Sequence, residues 1–326
     1  MEAVSKPILS VDSKKIRSFD VRRDLEQVAD LVELCFADTL DADSKRYLNH
    51  MRNVAKEKSS LGWITFIPEL ANLPLTGYVW LEDEQVVGNI TLIPYFVKGK
   101  RFFLIANVAV HPEFRRRGIA QCLTLEAMAY ARKHSAPSIW LHVHQENSIA
   151  YKLYERLGFV EHTRRISWIS SGEACIDKSK DLDHIRPPER SHWKLQWKWL
   201  IKSYPPEISW HMPLKINNLA PGILGSINRF FQNIYITQWA ALDNNKLLGV
   251  LSWQETSSHA NALWLAVPPN VEGAIVTKLL IHARNYAPSN SEMMLNYPSN
   301  QLIDAIQQAG FSKHQTLIWM AHTFAK

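Results

Sequence analysis

Val108-Ala109-Val110-His111-Pro112-Glu113-Phe114-Arg115-Arg116-Arg117-Gly118-Ile119-Ala120 reads as an apolar strand that ends in a basic, glycine-bearing turn and opens a helix. The first N–H groups of a helix have no partners within it, and with the helix dipole they make a seat for an anion. Gly118 and Ala120 are small enough to let the backbone close on a diphosphate, and glycine takes a positive φ without steric cost. Arg115, Arg116 and Arg117 add positive charge at the rim. Taken alone, the pattern also describes any basic helix start. The flanks supply context: an alternating apolar strand precedes the turn, and the amphipathic segment Ile119 to His134, running through Gln121, follows it.

A second stretch lies downstream. Leu141-His142-Val143 leads into Asn147-Ser148-Ile149-Ala150-Tyr151-Lys152-Leu153-Tyr154-Glu155-Arg156-Leu157-Gly158-Phe159. Read as a helix, it places Ile149, Leu153 and Leu157 in one stripe that is expected to be buried. Asn147 and Tyr154 then stand in line, about 10 Å apart along the axis, and Gly158 ends the helix. The two motifs, in this order and at this separation, resemble the two signatures of the GNAT family of N-acetyltransferases, over residues 16 to 170.

The resemblance implies a fold and a chemistry. The fold class is α/β (α+β): a mixed, mostly antiparallel twisted sheet with helices on both faces. The cofactor is acetyl-CoA, the acyl donor, with Val108, Ala109, Val110, Arg115, Arg116, Arg117, Gly118, Ile119, Ala120, Gln121 and Asn147 as its binding residues. The strands ending at Val110 and containing His142 splay apart, and the pantetheine arm fills the gap, bonded to the main chain of Val108 and Val110 and to the Asn147 side chain. A backbone N–H at the splay, matching Val108, polarises the thioester carbonyl. Tyr154 is the acid that meets the departing thiolate, since a phenol is still protonated at neutral pH. His142, twelve residues before Tyr154, is the base that relieves the ammonium acceptor of its proton. His144 is its strongest rival. Glu126, on the cofactor helix, is a weaker one. Leu104 stands where the family often carries an acidic base.

Composition narrows the class further. At 326 residues with 46% hydrophobic side chains, the chain is long enough for two domains with buried cores. The net charge of +6 is spread over both halves, whereas a nucleic-acid binder would concentrate it in one patch. Cys35, Cys122 and Cys175 are widely spaced and form no Cys-x-x-Cys, so neither a disulfide framework nor a thiolate metal site is expected. The histidines form no His-Glu-x-x-His, and no metal is expected. No run approaches the roughly 18 apolar residues of a membrane helix, so the expectation is a cytoplasmic protein without membrane or nucleic-acid partners. Its partner would be a small-molecule amine or a peptide. Oligomeric state is not readable.

Along the chain, residues 1 to 15 are polar, and Ile16 to Phe19 alternate as a first strand. Asp20 or Asp24 can cap a helix with an apolar face of Leu25, Val28, Leu31, Val32, Leu34 and Cys35, and Tyr47 to Val54 make a short second helix. Tyr78 to Leu81 and Val86 to Ile93 form a hairpin around Asp83-Glu84, and Phe102 to Val110 deliver the chain to the basic turn. Ser138 to His144 form the next strand, with Trp140, His142 and His144 on one face.

Charged and proline-bearing sequence between 171 and 190 marks a linker. The domains are therefore 1–172, a catalytic GNAT domain; 173–190, the linker; and 191–326, a second GNAT-like domain. The second half repeats landmarks of the first. Leu247-Leu248-Gly249-Val250-Leu251 echoes Val86-Val87-Gly88-Asn89-Ile90, Ala266-Val267-Pro268-Pro269 echoes Ala109-Val110-His111-Pro112, and Ala309-Gly310-Phe311 echoes Leu157-Gly158-Phe159. Aligned on the prolines, Glu272, Ile275 and Thr277 replace Arg115, Gly118 and Ala120. Aligned on the Gly-Phe pairs, Met294, Ser299 and Ile306 replace His142, Asn147 and Tyr154. The second half thus reads as a degenerate copy. Its tryptophans read as buried aromatics at a domain interface, and Trp193 to Trp199 alternates as a strand.

The function implied is transfer of an acetyl group from acetyl-CoA to a primary amine by direct attack. The alternative is a non-catalytic acyl-CoA sensor or an interaction protein.

Overall fold

The computed structural model describes residues 15–56, 76–170, 185–212, 214–221, 234–256, 258–287 and 291–325. The expected polar N-terminus and most of the expected linker, with Cys175, lie outside the described residues.

The chain divides into two compact units that do not follow the halves of the sequence. The first comprises residues 1–143, 147–161 and 320–326, and the second 144–146 and 162–319.

The first unit carries β1 (Ile16–Ser18), α1 (Val21–Phe36), α2 (Ala42–Lys56), β2 (Gly77–Glu82), β3 (Gln85–Val97), β4 (Lys100–Val110), α3 (Ile119–Lys133), β5 (Ser138–His144) and α4 (Ser148–Arg156). Its sheet runs β1-β2-β3-β4-β5, antiparallel except for the parallel pair β4/β5. At its far edge the end of the chain returns, where the Phe324 N–H donates to the Pro137 carbonyl at 3.1 Å.

Asp20 is the residue that caps α1, its Oδ1 accepting the Arg22 N–H at 2.9 Å. Asp24 has a different part: it is buried, and both its oxygens accept from the Arg17 guanidinium at 2.6 Å. Leu25, Val28, Leu31 and Val32 face the core as expected, but Leu34 is 51% exposed, one step outside the apolar stripe. The second helix is longer than Tyr47 to Val54 and buries Leu48, Met51 and Ala55. Helices α1 and α2 cover Val79, Val86 and Ala109 on one face of the sheet. Helix α3 covers the other, where a Cβ on Gly88 would come within 2.8 Å of Ile119 Cγ2 and 3.1 Å of Leu123 Cδ1. A glycine there lets helix and strand touch.

The second unit carries most of β6 (Val160–Ser170), then β7 (Ile185–Arg186), α5 (Trp193–Ser203), α6 (Pro206–Ser209), β8 (Ile236–Asp243), β9 (Lys246–Gln254), β10 (Ala260–Ala266), α7 (Gly273–Tyr286), β11 (Glu292–Pro298), α8 (Ile303–Gln308) and most of β12 (Phe311–Thr323). Its strands run β12-β6-β11-β10-β9-β8-β7. Ile185 and Arg186, at the end of the expected linker, already pair with Ala241 and Ala240.

The second unit repeats the first in detail. The hairpins β2/β3 and β8/β9 both turn on two left-handed residues, Asp83-Glu84 and Asn244-Asn245, the pattern of a two-residue hairpin turn. Both shift register at matching places, between Trp80 and Leu81 and between Ala241 and Leu242. Leu279 Cδ1 would stand 3.3 Å from a Cβ on Gly249, as Leu123 does at Gly88. Strands β10 and β11 are parallel, as β4 and β5 are.

Two expectations are corrected here. Trp193 to Trp199 is helical, because the buried positions Gln196, Trp199, Leu200 and Ser203 follow the helical spacing rather than the strand's period of two. Trp199, Trp239, Trp253 and Trp264 pack within the second unit's own core.

Candidate active site

Strands β4 and β5 pair at Phe103–Ile139, Leu104–Trp140 and Ile105–Leu141, and there the parallel pairing ends. Phe103, Leu104 and Ile105 are buried, whereas Ala106, Asn107 and Val108 are half-exposed although β4 lies inside the sheet. The strands part, and a gap opens along the second half of β4.

On its other side β4 stays bonded to β3, with one irregularity. Thr91 faces Ala106 and Asn89 faces Ala109, so two steps of β3 match three of β4. The extra residue is a bulge, at Asn107, whose φ is +50°. The His111 N–H donates to the Val87 carbonyl at 2.9 Å, so by alternation the N–H and C=O of Val110 face the gap. The Val110 carbonyl accepts from Arg115 Nε at 3.1 Å and from Cys35 Sγ at 3.3 Å. Ala109 lies elsewhere, its backbone in register with Asn89 and its methyl group in the core under α1 and α2.

The chain then enters the basic turn. Arg116 and Gly118 are left-handed, with φ of 65° and 81°, and Gly118 is the N-cap of α3. The first helical bond runs from the Cys122 N–H to the Gly118 carbonyl at 3.0 Å, which leaves the N–H groups of Ile119, Ala120 and Gln121 without helical acceptors. The N-cap glycine has no side chain to cap them, and no acid sits in the first turn. A Cβ on Gly118 would meet no protein atom within 4 Å. A donor set of this kind suits an anionic diphosphate. Arg115 is tied back to Val110, while Arg117 donates to the Glu113 carbonyl at 3.2 Å and lies over the Phe114 ring at 4.8 Å. Two of the three rim arginines are thus held against their own turn.

The α4 motif behaves differently from its expected stripe. Ile149 is 81% exposed, and Leu153 and Leu157 are only half-buried; the buried side chain is Tyr154, at 6% exposure. Asn147 caps the helix, its Oδ1 accepting the Ala150 N–H at 3.0 Å, which leaves Nδ2 as a donor. Burial pushes the Tyr154 phenol well above its ordinary pKa. His142 is half-buried on β5, just beyond the last parallel pair. His144 falls in the second unit with Gln145, whose N–H donates to the Thr316 carbonyl at 3.0 Å. Glu126 is exposed. Among the described residues no three His, Cys, Asp or Glu side chains could hold a metal ion, and no helix is long and apolar enough to cross a membrane.

These features meet in one pattern: parallel strands that part, then a glycine-started helix with free donors. Residues 38–159 match the profile of the acetyltransferase (GNAT) family. The chain is similar to [Ribosomal protein bS18]-alanine N-acetyltransferase of Salmonella typhimurium, 34% identical over 71 residues, which are 22% of this chain and 48% of that protein. It is similar also to the N-terminal acetyltransferase B complex catalytic subunit of Saccharomyces cerevisiae, 33% identical over 109 residues, 27% of this chain and 56% of that one. The chain thus spans about half the length of these curated relatives. Two solved GNAT structures share the fold of nearly the whole chain. A GCN5-related N-acetyltransferase from Sphaerobacter thermophilus aligns at 14% identity and TM-score 0.58, over 95% of this chain and 96% of that one. A tandem GNAT protein from the clavulanic acid biosynthesis pathway aligns at 14% identity and TM-score 0.52, over 95% and 98%.

The second GNAT-like unit differs where the first is open. Strands β9 and β10 pair without a register shift, so the bulge is missing. Because Leu279 matches Leu123 in packing, Ile275 corresponds to Ile119, and the alignment on the prolines, which set Ile275 against Gly118, is one residue out. Ala274 holds the Gly118 position, already inside α7, and among the described residues no left-handed residue precedes that helix in its turn. Helix α8 also packs on the start of α7, where Thr277 Oγ1 donates to the Ala305 carbonyl at 3.0 Å. Ile306, where Tyr154 stands in the first unit, is fully buried.

Sequence reading missed Asn89 and Asn107. The signal was present, since each is an amide inside an otherwise apolar strand, where a side chain without a polar partner is costly.

Proposed function

We propose that the first unit is an N-acetyltransferase that moves an acetyl group from acetyl-CoA to a primary amine. The observation that carries this reading is the end of the β4/β5 pairing at Ile105–Leu141 followed, one turn later, by the glycine start of α3, whose first N–H groups have no helical acceptors. The N–H groups of Ile119, Ala120 and Gln121, with the turn of Arg115, Arg116, Arg117 and Gly118, hold the diphosphate. The main chain of Val108 and Val110 and the Asn147 side chain hold the pantetheine arm. The donor supplies an activated thioester.

The acceptor nitrogen attacks the thioester carbon, forming the C–N bond as the C–S bond breaks. The Val108 N–H stabilises the charge that develops on the carbonyl oxygen. His142 takes the proton from the amine, and Tyr154 gives one to the departing sulfur. Burial keeps the Tyr154 phenol protonated at neutral pH, so a proton is available when sulfur leaves.

The names of the two curated relatives make the α-amino group of a polypeptide the first acceptor to try. The experiment is thiol release from acetyl-CoA with a panel of peptide termini and small primary amines. Release that depends on one amine, with the acetyl group recovered on its nitrogen, supports the reading. Binding of acetyl-CoA without amine-dependent release would favour the sensor.

A further inference from the structure

Asn89 lies in the middle of β3, 1% exposed, on a strand whose residues 86–92 are all buried. Its Nδ2 donates to the Asn107 carbonyl at 2.9 Å and approaches Thr91 Oγ1 at 3.4 Å. Its Oδ1 is buried without a partner. Burying an amide with an unsatisfied oxygen costs roughly 1–3 kcal/mol, so the side chain is not there for stability alone.

The bond it makes has a directional consequence. In a trans peptide the C=O of one residue and the N–H of the next point in opposite directions, and no cis peptide occurs among the described residues. Holding the Asn107 carbonyl toward β3 therefore aims the Val108 N–H away from β3, into the gap. The left-handed φ of Asn107 is what lets β4 turn its peptide in this way, and asparagine tolerates it better than most side chains.

The second unit supplies an internal comparison. Val250 pairs with Ala266 as Asn89 pairs with Ala109, and Ser252 pairs with Trp264 where Thr91 pairs with Ala106. There β10 takes two steps for two of β9, with no bulge and no asparagine on either strand at that place. The amide and the bulge are present together in one unit and missing together in the other.

We infer that Asn89 is a positioning residue, which clamps the β4 bulge through the Asn107 carbonyl and so aims the Val108 N–H at the thioester oxygen. This rests on the acetyl-transfer reading above. The test uses the 326-residue chain and acetyl-CoA labelled with 13C at the thioester carbonyl, with binding measured by calorimetry and the bound carbonyl by isotope-edited infrared difference spectroscopy. In the native protein the carbonyl band is expected below its solution position. In Asn89→Val it moves at least halfway back, while acetyl-CoA affinity stays within about fivefold. Thr91→Val removes the neighbouring hydroxyl but not the clamp, and leaves the band in place. If Asn89→Val does not fold, Asn89→Ser, too short to reach Asn107, is expected to behave the same way. A native-like band in a folded, acetyl-CoA-bound Asn89 variant overturns the inference, as does an equal shift in Thr91→Val. Failure of the native protein to bind acetyl-CoA overturns the acetyl-transfer reading instead.

Discussion

The ring of Tyr154 meets the ring of Phe159 edge to face, with centroids 5.8 Å apart, so that the phenol is fixed by the residue that follows its own helix. Packing of this kind holds the ring in place. Tyr154→Phe keeps the ring pair and removes the proton. Turnover is expected to fall about a hundredfold with acetyl-CoA affinity within a few-fold, read by steady-state kinetics and calorimetry. Because burial raises the phenol's pKa, its proton is retained above pH 10, and the native rate should show no loss from Tyr154 ionisation up to that pH. Unchanged turnover in the phenylalanine variant would reduce Tyr154 to a packing residue.

Acetyl-CoA should bind once per chain. Gly118 has a φ of 81° and open space beyond it, whereas Ala274 sits in a helix that has already begun. Gly118→Glu puts a carboxylate over the free N–H groups of α3 and should abolish binding; Ala274→Glu should leave it untouched. Calorimetry giving two sites, or binding that survives Gly118→Glu, would contradict the asymmetry.

His142 as the base predicts that kcat/KM falls on the acid side of the pH profile, as the base takes up a proton. His142→Gln should flatten that limb and leave acetyl-CoA binding intact. Should the limb persist there and vanish in His144→Gln, the base is His144.

His211 predicts how stability depends on pH. Burial pushes its pKa down to about 4, with the Arg165 charge adding to the effect. The unfolded chain binds a proton there near pH 6.5, so between 6.5 and 4 the unfolded state carries more protons than the folded one. Stability therefore is full above pH 6.5 and is lost as pH falls toward 4, by up to about 3 kcal/mol. Differential scanning calorimetry from pH 7 to 4 should show Tm falling. His211→Phe should make that fall shallower, and an equally steep fall in the variant would assign the effect to other groups.

Much of this was legible because it is local. The Asp83-Glu84 turn and the start of α3 at Gly118 each depend on residues within one turn of chain, and each was found where the sequence placed it, while the cap of α1 was narrowed to Asp20 or Asp24 and the structure chose Asp20. The repeat was legible for the same reason, since Gly88 and Gly249 face helices that follow them at similar distances along the chain. Asn89 was quoted in that repeat and passed over, because its meaning lies in Asn107, one strand away.

By itself the sequence determined the order of strands and helices from β1 to α4, the first hairpin and the glycine start of α3, all through periodicity and turn chemistry that act over a few residues. Tertiary structure alone decided which strands complete each unit, placing residues 162–170 in the second and 320–326 in the first. It also set the bulge at Asn107 and chose Tyr154 rather than Ile149 as the buried side chain of α4. The reason is physical: alternation along a strand says which side chains share a face but not which edge will pair with it, and amphipathicity orients a helix only once something covers it.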